Sequence, residues 1–265
     1  MVGKFHGCYT ATLTPFDAGG KLDVGVVKAH AQWLIENGIA GLCPVGTTGE
    51  FLYLSDAEKR DMAAATVAAA AGKAPVIAGV WALTTGEMQG LARNAEAIGA
   101  DGVFLPPPIY YPADDAAIFA HYAAVHEVTT LPVFAYNIPQ YAANEISFLC
   151  LDALFAEGII AGVKDSTGKT ERVAELVKRY GADYTVFAAS DSFATEGRKL
   201  GADGFISAIA NAAPRLFADI WAGDESRQPE ADALRTELKK VGSIPGLKRL
   251  LTEQGFAFGE SRIPK

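Results

Sequence analysis

Short runs rich in β-branched and aromatic residues alternate along this chain with longer stretches of helical periodicity. The short runs lie at 7–13, 41–45, 75–79, 102–105, 132–136, 159–164, 184–188 and 204–207, and predict eight strands. Between and after them, helices are predicted over 24–37, 56–70, 84–98, 114–128, 145–155, 169–180, 192–200 and 214–221. Several open on a cap residue: Ser55 or Asp56, Thr84 with Glu87 three residues on, and Ser166 or Thr167. Three end on one device, Gly38, Gly99 and Gly201, each just past the last helical turn and each feeding a new strand. Eight βα units punctuated this way predict an α/β chain of (β/α)8 TIM-barrel class. The alternative, an open doubly wound sheet, lacks its signal, because no Gly-x-Gly-x-x-Gly follows any predicted strand. After Gly223 the rhythm breaks. Residues 1–223 are read as the barrel, and 224–265 as a short helical appendage packed on it, with helices at 229–241 and 245–254.

Composition supports this picture and narrows the partners. A chain of 265 residues, half of them hydrophobic, can close one α/β barrel around a large core. A net charge of −8 argues against nucleic acid and against anionic membrane surfaces, yet leaves a small anionic substrate open. Cys8, Cys43 and Cys150 are odd in number and widely spaced, so no disulfide framework follows and a reducing cytoplasm is expected. Residues 1–16 hold no continuous apolar run, so no signal peptide is expected. The alanine-rich stretch 62–71 is about half a membrane span and is read as a packed helix.

The candidate chemistry falls at predicted strand ends, where a barrel carries its active site. Lys164 closes the apolar run Ile159-Ile160-Ala161-Gly162-Val163. A lysine there is poorly solvated, and desolvation lowers its pKa towards that of an amine nucleophile. Its ordinary alternative is a side chain that snorkels to solvent. Tyr136 ends the neighbouring strand, and Gly162, two residues before Lys164, is expected to leave room for the lysine stem. Gly46-Thr47-Thr48-Gly49-Glu50 follows the second strand and offers backbone N–H groups and hydroxyls suited to a carboxylate. Alone, the loop is an ordinary turn and Tyr136 an ordinary strand tyrosine. Their shared strand-end position with Lys164 is what argues for a site. Gly168-Lys169-Thr170 is no P-loop, since Val163 stands where the first glycine is required. His6, His30, His121 and His126 show no zinc spacing, so no metal is expected. Glu50 is read as an acidic residue opening a helix.

In this order, Gly46-Thr47-Thr48-Gly49-Glu50, Tyr136-Asn137-Ile138-Pro139 and Gly162-Val163-Lys164-Asp165-Ser166-Thr167-Gly168 resemble the pyruvate-dependent class I aldolase superfamily of dihydrodipicolinate synthase and N-acetylneuraminate lyase. The resemblance runs from about residue 7 to 264. It implies a Schiff base between Lys164 and a 2-oxo acid with no other cofactor, proton relay by Tyr136, and carboxylate binding by Gly46, Thr47 and Thr48. It also implies a homodimer or homotetramer in which Tyr111, of Tyr110-Tyr111-Pro112, reaches a neighbour's site, and a pyruvate pocket lined by Ile206. The catalytic set is then Lys164, Tyr136, Thr47 and Tyr111. Ser190-Asp191-Ser192 resembles the 2-keto-3-deoxy-sugar-acid aldolases, which adds Ser190 and Ser192 to the substrate contacts. The chain departs from the synthases at Tyr141, where they carry a carboxylate-binding arginine, and at Asp56 and Lys59, where their lysine-feedback histidines would stand. Its appendage is also shorter than is usual in the family. The expected function is a carbon–carbon lyase that releases pyruvate and an aldehyde from a 2-keto-3-deoxy sugar acid. A dehydratase on the same scaffold, the synthase itself, and a non-catalytic ligand-binding barrel remain the alternatives. With Tyr141 a neutral donor, the sequence predicts a preference for neutral hydroxyaldehydes over aspartate semialdehyde.

Overall fold

The computed structural model describes residues 5–264. Eight parallel strands alternate with helices: β1 (Gly7–Ala11), α1 (Val24–Glu36), β2 (Gly41–Cys43), α2 (Asp56–Ala70), β3 (Ile77–Gly79), α3 (Thr85–Ala97), β4 (Gly102–Leu105) and α4 (Asp115–His126) form the first half. The second half is β5 (Val133–Asn137), α5 (Pro139–Ala142), α6 (Phe148–Ala156), β6 (Gly162–Asp165), α7 (Thr170–Tyr180), β7 (Thr185–Ala189), α8 (Ala194–Lys199), β8 (Gly204–Ser207) and α9 (Pro214–Ala222). Strand order is β2-β1-β8-β7-β6-β5-β4-β3. The seam between β2 and β3 is joined by a parallel bridge, Leu42 with Val76, and by bonds from Leu42 N to the Pro75 carbonyl (3.0 Å) and from Gly79 N to the Pro44 carbonyl (2.9 Å). The sheet is therefore a nearly closed barrel, as the βα rhythm predicts.

Local chemistry sets most of the boundaries. Ser55 with Glu58 and Thr84 with Glu87 both form reciprocal capping boxes. Gly38, Gly99 and Gly201 hold φ of +90°, +79° and +87°, the left-handed conformation that glycine adopts without steric cost. Two expected boundaries are corrected. Helix α7 begins at Thr170 with no side-chain cap, because Thr167 turns back to Asp165 and Ser166 to Tyr136. Helix α6 begins only at Phe148, capped by Ser147, because residue 145 lies outside it and pairs with Arg172 at 3.2 Å.

The barrel interior is packed by rings set against glycines. A Cβ on Gly41 would fall 2.0 Å from the Tyr9 ring, one on Gly204 2.5 Å from Phe187, and one on Gly162 2.8 Å from Phe134. Tyr9 and Phe187 meet edge to face with centroids 5.0 Å apart, and Phe134 lies 5.8 Å from Phe187. Large rings thus interdigitate with missing side chains on adjacent strands, giving a dense floor beneath the strand ends. The space at Gly162 is taken by Phe134 and not by the stem of Lys164, which corrects that expectation.

Beyond the barrel lie α10 (Gln228–Val241) and α11 (Ser243–Glu253). Leu238, Leu247 and Leu251 of these helices join the buried cluster that includes Phe217 of α9. The chain then packs back against α1 and the segment after β1. Phe258 is fully buried, 4.9 Å from the ring of His30, whose Nε2 lies 2.9 Å from the Asn211 carbonyl. Burial pushes the His30 imidazole down to about 4, so near neutrality it is an uncharged packing residue. No helix among the described residues is long and apolar enough to cross a membrane.

Candidate active site

Strand alternation gives each motif residue its task. In β5 and β6, Tyr136 and Lys164 are register partners pointing inward, while Asn137 and Asp165, the next pair, point outward. Asp165 is fully buried and paired with Arg172 at 2.7 Å, and it accepts from Asn137 Nδ2 at 2.7 Å. Asn137 in turn accepts from Ile146 N at 3.0 Å. The outward pair therefore clamps the two strand ends that carry the inward pair. Helix α7 supplies the arginine, and the Asp-Ser-Thr-Gly turn after Lys164 folds around the same carboxylate.

Lys164 is 5% exposed and makes no hydrogen bond or ion pair to a described residue. Its Nζ lies 3.8 Å from the Tyr136 ring centroid and 5.7 Å from that of Phe104. An amine kept against aromatic faces and unpaired is free to react, which a snorkelling lysine at the surface would not be. The Tyr136 ring is fixed edge-on to Trp81 at 5.3 Å, and its hydroxyl accepts a long hydrogen bond from Ser166 Oγ at 3.4 Å.

The Thr47-Thr48 loop is bracketed by two non-glycine residues with positive φ, Val45 at 61° and Glu50 at 60°. A β-branched residue there is strained, and such strain persists only where the surroundings over-determine it. They do so here. Thr14 Oγ1 donates to the Gly49 carbonyl at 2.7 Å, and Glu50 N donates to the Thr47 carbonyl at 3.1 Å. The Glu50 carboxylate is buried against Lys248 of α11 at 2.5 Å, and accepts from Ser261 Oγ at 2.8 Å and Arg262 N at 2.7 Å. Glu50 does open a short 3-10 turn, Phe51–Tyr53, but its carboxylate makes no cap bond there and serves as a buried anchor instead. The Thr47 hydroxyl is buried without a partner among the described residues, an acceptor and donor held ready for a ligand.

A cavity of about 270 Å3 opens above Lys164 and brings together Tyr136, Thr47, Thr48, Ile206, Tyr141 and Ser190. Three predicted contacts stand outside its wall. Gly46 packs beside Phe104. Ser192 is exposed, 3.4 Å from Ser190 across their hydroxyls. Tyr111 is 74% exposed at the outer face, its carbonyl held by Asn144 Nδ2 at 2.9 Å. The cavity also has residues that the motif reading missed. Asp191 reaches it while accepting from Ser207 Oγ and from Ile209 N, which ties β7 to the end of β8. Burial pushes the Asp191 carboxyl up, and its hydrogen bonds and the charge of Arg235 pull it back. Gln140, Ser166, Ser243 and Arg235 line it as well. Arg235 overturns one premise drawn from the sequence: the site does hold a second cation, from α10, although Tyr141 replaces the usual arginine. The predicted preference for neutral aldehydes loses its basis. A more apolar cavity of about 340 Å3 lies alongside, sharing Thr47, Ile138, Tyr141 and Ile244. Among the described residues no group of three or more His, Cys, Asp or Glu side chains is placed to hold a metal ion.

Residues 4–250 match the model of the Dihydrodipicolinate synthetase family. An uncharacterised DapA-like lyase of Halobacterium salinarum is 36% identical over 98% of this chain and 88% of its own length. A 4-hydroxy-tetrahydrodipicolinate synthase of Methylobacterium radiotolerans is 34% identical over 98% of this chain and 90% of its own. The sialic acid aldolase of Ruminococcus gnavus, a solved structure, superposes with a TM-score of 0.91 at 26% identity, covering 98% of this chain and 90% of that one.

Proposed function

The chain belongs to the dihydrodipicolinate synthetase family, whose enzymes use a lysine Schiff base with substrate and need no cofactor, and from that premise we propose that it is a carbon–carbon lyase acting on a 2-keto-3-deoxy sugar acid, yielding pyruvate and an aldehyde. One observation carries this reading: a buried, unpaired Lys164 shares a cavity with Tyr136 and with the unpartnered hydroxyl of Thr47. Thr47 and Thr48 take the substrate carboxylate. Lys164 attacks the C2 carbonyl, and Tyr136 moves protons on and off the carbinolamine as water leaves. The resulting iminium draws the electrons of the C3–C4 bond as it breaks, with the C4 hydroxyl losing its proton to become the aldehyde. The enamine is protonated at C3, and water returns to C2 to free pyruvate and the amine. Incubation with a panel of 2-keto-3-deoxy acids should release pyruvate stoichiometrically with aldehyde. Loss of water with no pyruvate would make the enzyme a dehydratase instead.

Tyr136→Phe is expected to keep the fold, since its hydroxyl makes only the 3.4 Å contact with Ser166, and to lower turnover by about 10²–10⁴, the scale of one acid–base group. Near-normal turnover would pass the proton role to Thr47. The reading includes a homodimer or homotetramer in which Tyr111 enters the partner's site. Tyr110 and Tyr111 stand 79% and 74% exposed with their rings edge to face at 5.0 Å, a pair of exposed aromatic rings that an interface would cover. The apolar cavity beside the site offers such a ring a place. Sedimentation should show an oligomer, and a fully active monomer would remove Tyr111 from the catalytic set.

A further inference from the structure

Arg235 stands on the inward stripe of α10. Ala231 and Leu238, four residues before and three after, are buried, and Leu234 is half-buried. That stripe packs the appendage onto the barrel, and its periodicity calls for an apolar residue at 235. An arginine there is half-buried, lines the cavity above Lys164, and makes no hydrogen bond or ion pair to a described residue. Four other arginines, Arg172, Arg179, Arg227 and Arg262, are by contrast each paired with a carboxylate at 2.7 Å or less. The charged residues lining the cavity are Lys164, Asp191 and Arg235. Lys164 is consumed by the chemistry, and Asp191 accepts its hydrogen bonds from Ser207 and Ile209 and meets Arg235 only through longer-range attraction, without a hydrogen bond or ion pair. Helix α10 is also tied to the site at its start, where Gln228 Nε2 donates to the Asp191 carbonyl at 3.2 Å and Gln228 Oε1 accepts from Thr195 N at 3.0 Å.

A guanidinium that is partly desolvated and donates no hydrogen bond has a standing cost that a contacting anion would relieve. We propose that Arg235 recognises an anionic group, carboxylate or phosphate, at the end of the substrate distant from the Schiff base, so that the natural 2-oxo acid carries two anionic ends. The proposal rests on the lyase reading for the position of the 2-oxo group. The Thr47-Thr48 loop holds the proximal carboxylate, and the intervening chain meets the hydroxyls of Ser190, Ser243 and Tyr141. Tyr141 then need not bind the distal anion, because α10 supplies the missing charge from elsewhere in the chain.

The test compares 2-oxoadipate with 2-oxohexanoate, acids of equal chain length that differ only in a terminal carboxylate. In the wild type the first should bind roughly 10- to 100-fold more tightly, the value of a charge-assisted contact. In Arg235→Met the ratio should fall towards one, and Arg235→Lys should restore part of it, since lysine keeps the charge without the fork. A wild-type ratio near one, or a ratio that survives in Arg235→Met, would overturn the proposal. Condensation of pyruvate with tartronate semialdehyde, with glyceraldehyde 3-phosphate and with glyceraldehyde then separates carboxylate from phosphate. A wild-type preference for glyceraldehyde over both would count against Arg235 equally. Borohydride trapping of pyruvate in the same samples keeps the two readings apart: absence of an adduct removes the lyase, while the binding ratio still decides on Arg235.

Discussion

Lys164→Ala abolishes turnover, and pyruvate with borohydride leaves no covalent adduct on the variant, whereas the wild-type chain is labelled on the peptide containing Lys164. The expected loss is at least about 10⁴-fold, the scale on which removal of a covalent nucleophile reduces an enzyme to its residual binding contribution. The geometry supports so large an effect. Lys164 Nζ sits 3.8 Å from the Tyr136 ring centroid at the base of the cavity, and no second lysine lines it. The variant should fold, because Lys164 makes no hydrogen bond or ion pair to a described residue and its strand is held by Asp165, Asn137 and Arg172. Peptide mapping of the trapped protein by mass decides the matter. An adduct elsewhere, or none with any 2-oxo acid, would sink the Schiff-base mechanism.

Lys248→Met is the variant expected to damage stability most. Glu50 and Lys248 side chains are 0% and 2% exposed, and their charges meet at 2.5 Å. Burial drags the Lys248 ammonium below the ordinary lysine range, and chiefly the hydrogen bond and charge of the Glu50 carboxylate, with a smaller pull from Glu260, offset this. Removing the cation leaves a buried carboxylate with two neutral donors, Ser261 and the amide of Arg262, at a cost of about 3–5 kcal/mol. Urea unfolding should show that loss, and adding Glu50→Gln should recover most of it, because the uncompensated charge is then gone. The single variant should also raise KM for the 2-oxo acid, since Glu50 closes the loop that presents Thr47 and Thr48. An unchanged midpoint would mean that Glu50 finds another partner, Arg262 being the nearest cation.

Much of this arrangement is legible in the chain because it is local. Turn glycines at 38, 99 and 201, capping boxes at Ser55 and Thr84, and short β-branched runs act over a few residues, so eight βα units can be read without coordinates. The inward direction of Tyr136 and Lys164 follows from the two-residue period of a strand, and their adjacency from the order of a parallel barrel. Helix α5 was missed because four residues after a proline are too few to show periodicity.

What the tertiary structure decided are the contacts between distant residues. Lys248 pairs with Glu50 across 198 positions, and in sequence each looks like one more solvated charge. The periodicity of α10 puts Arg235 on its buried face, but only the docking of α10 on the barrel shows that this face meets the cavity above Lys164. Gly162 is an empty position whose tenant, Phe134, belongs to the next strand. Hydrophobic periodicity says which face of an element is buried, because that follows from the geometry of one helix or strand. It does not say what that face meets, since that depends on how elements far apart along the chain are brought together by packing.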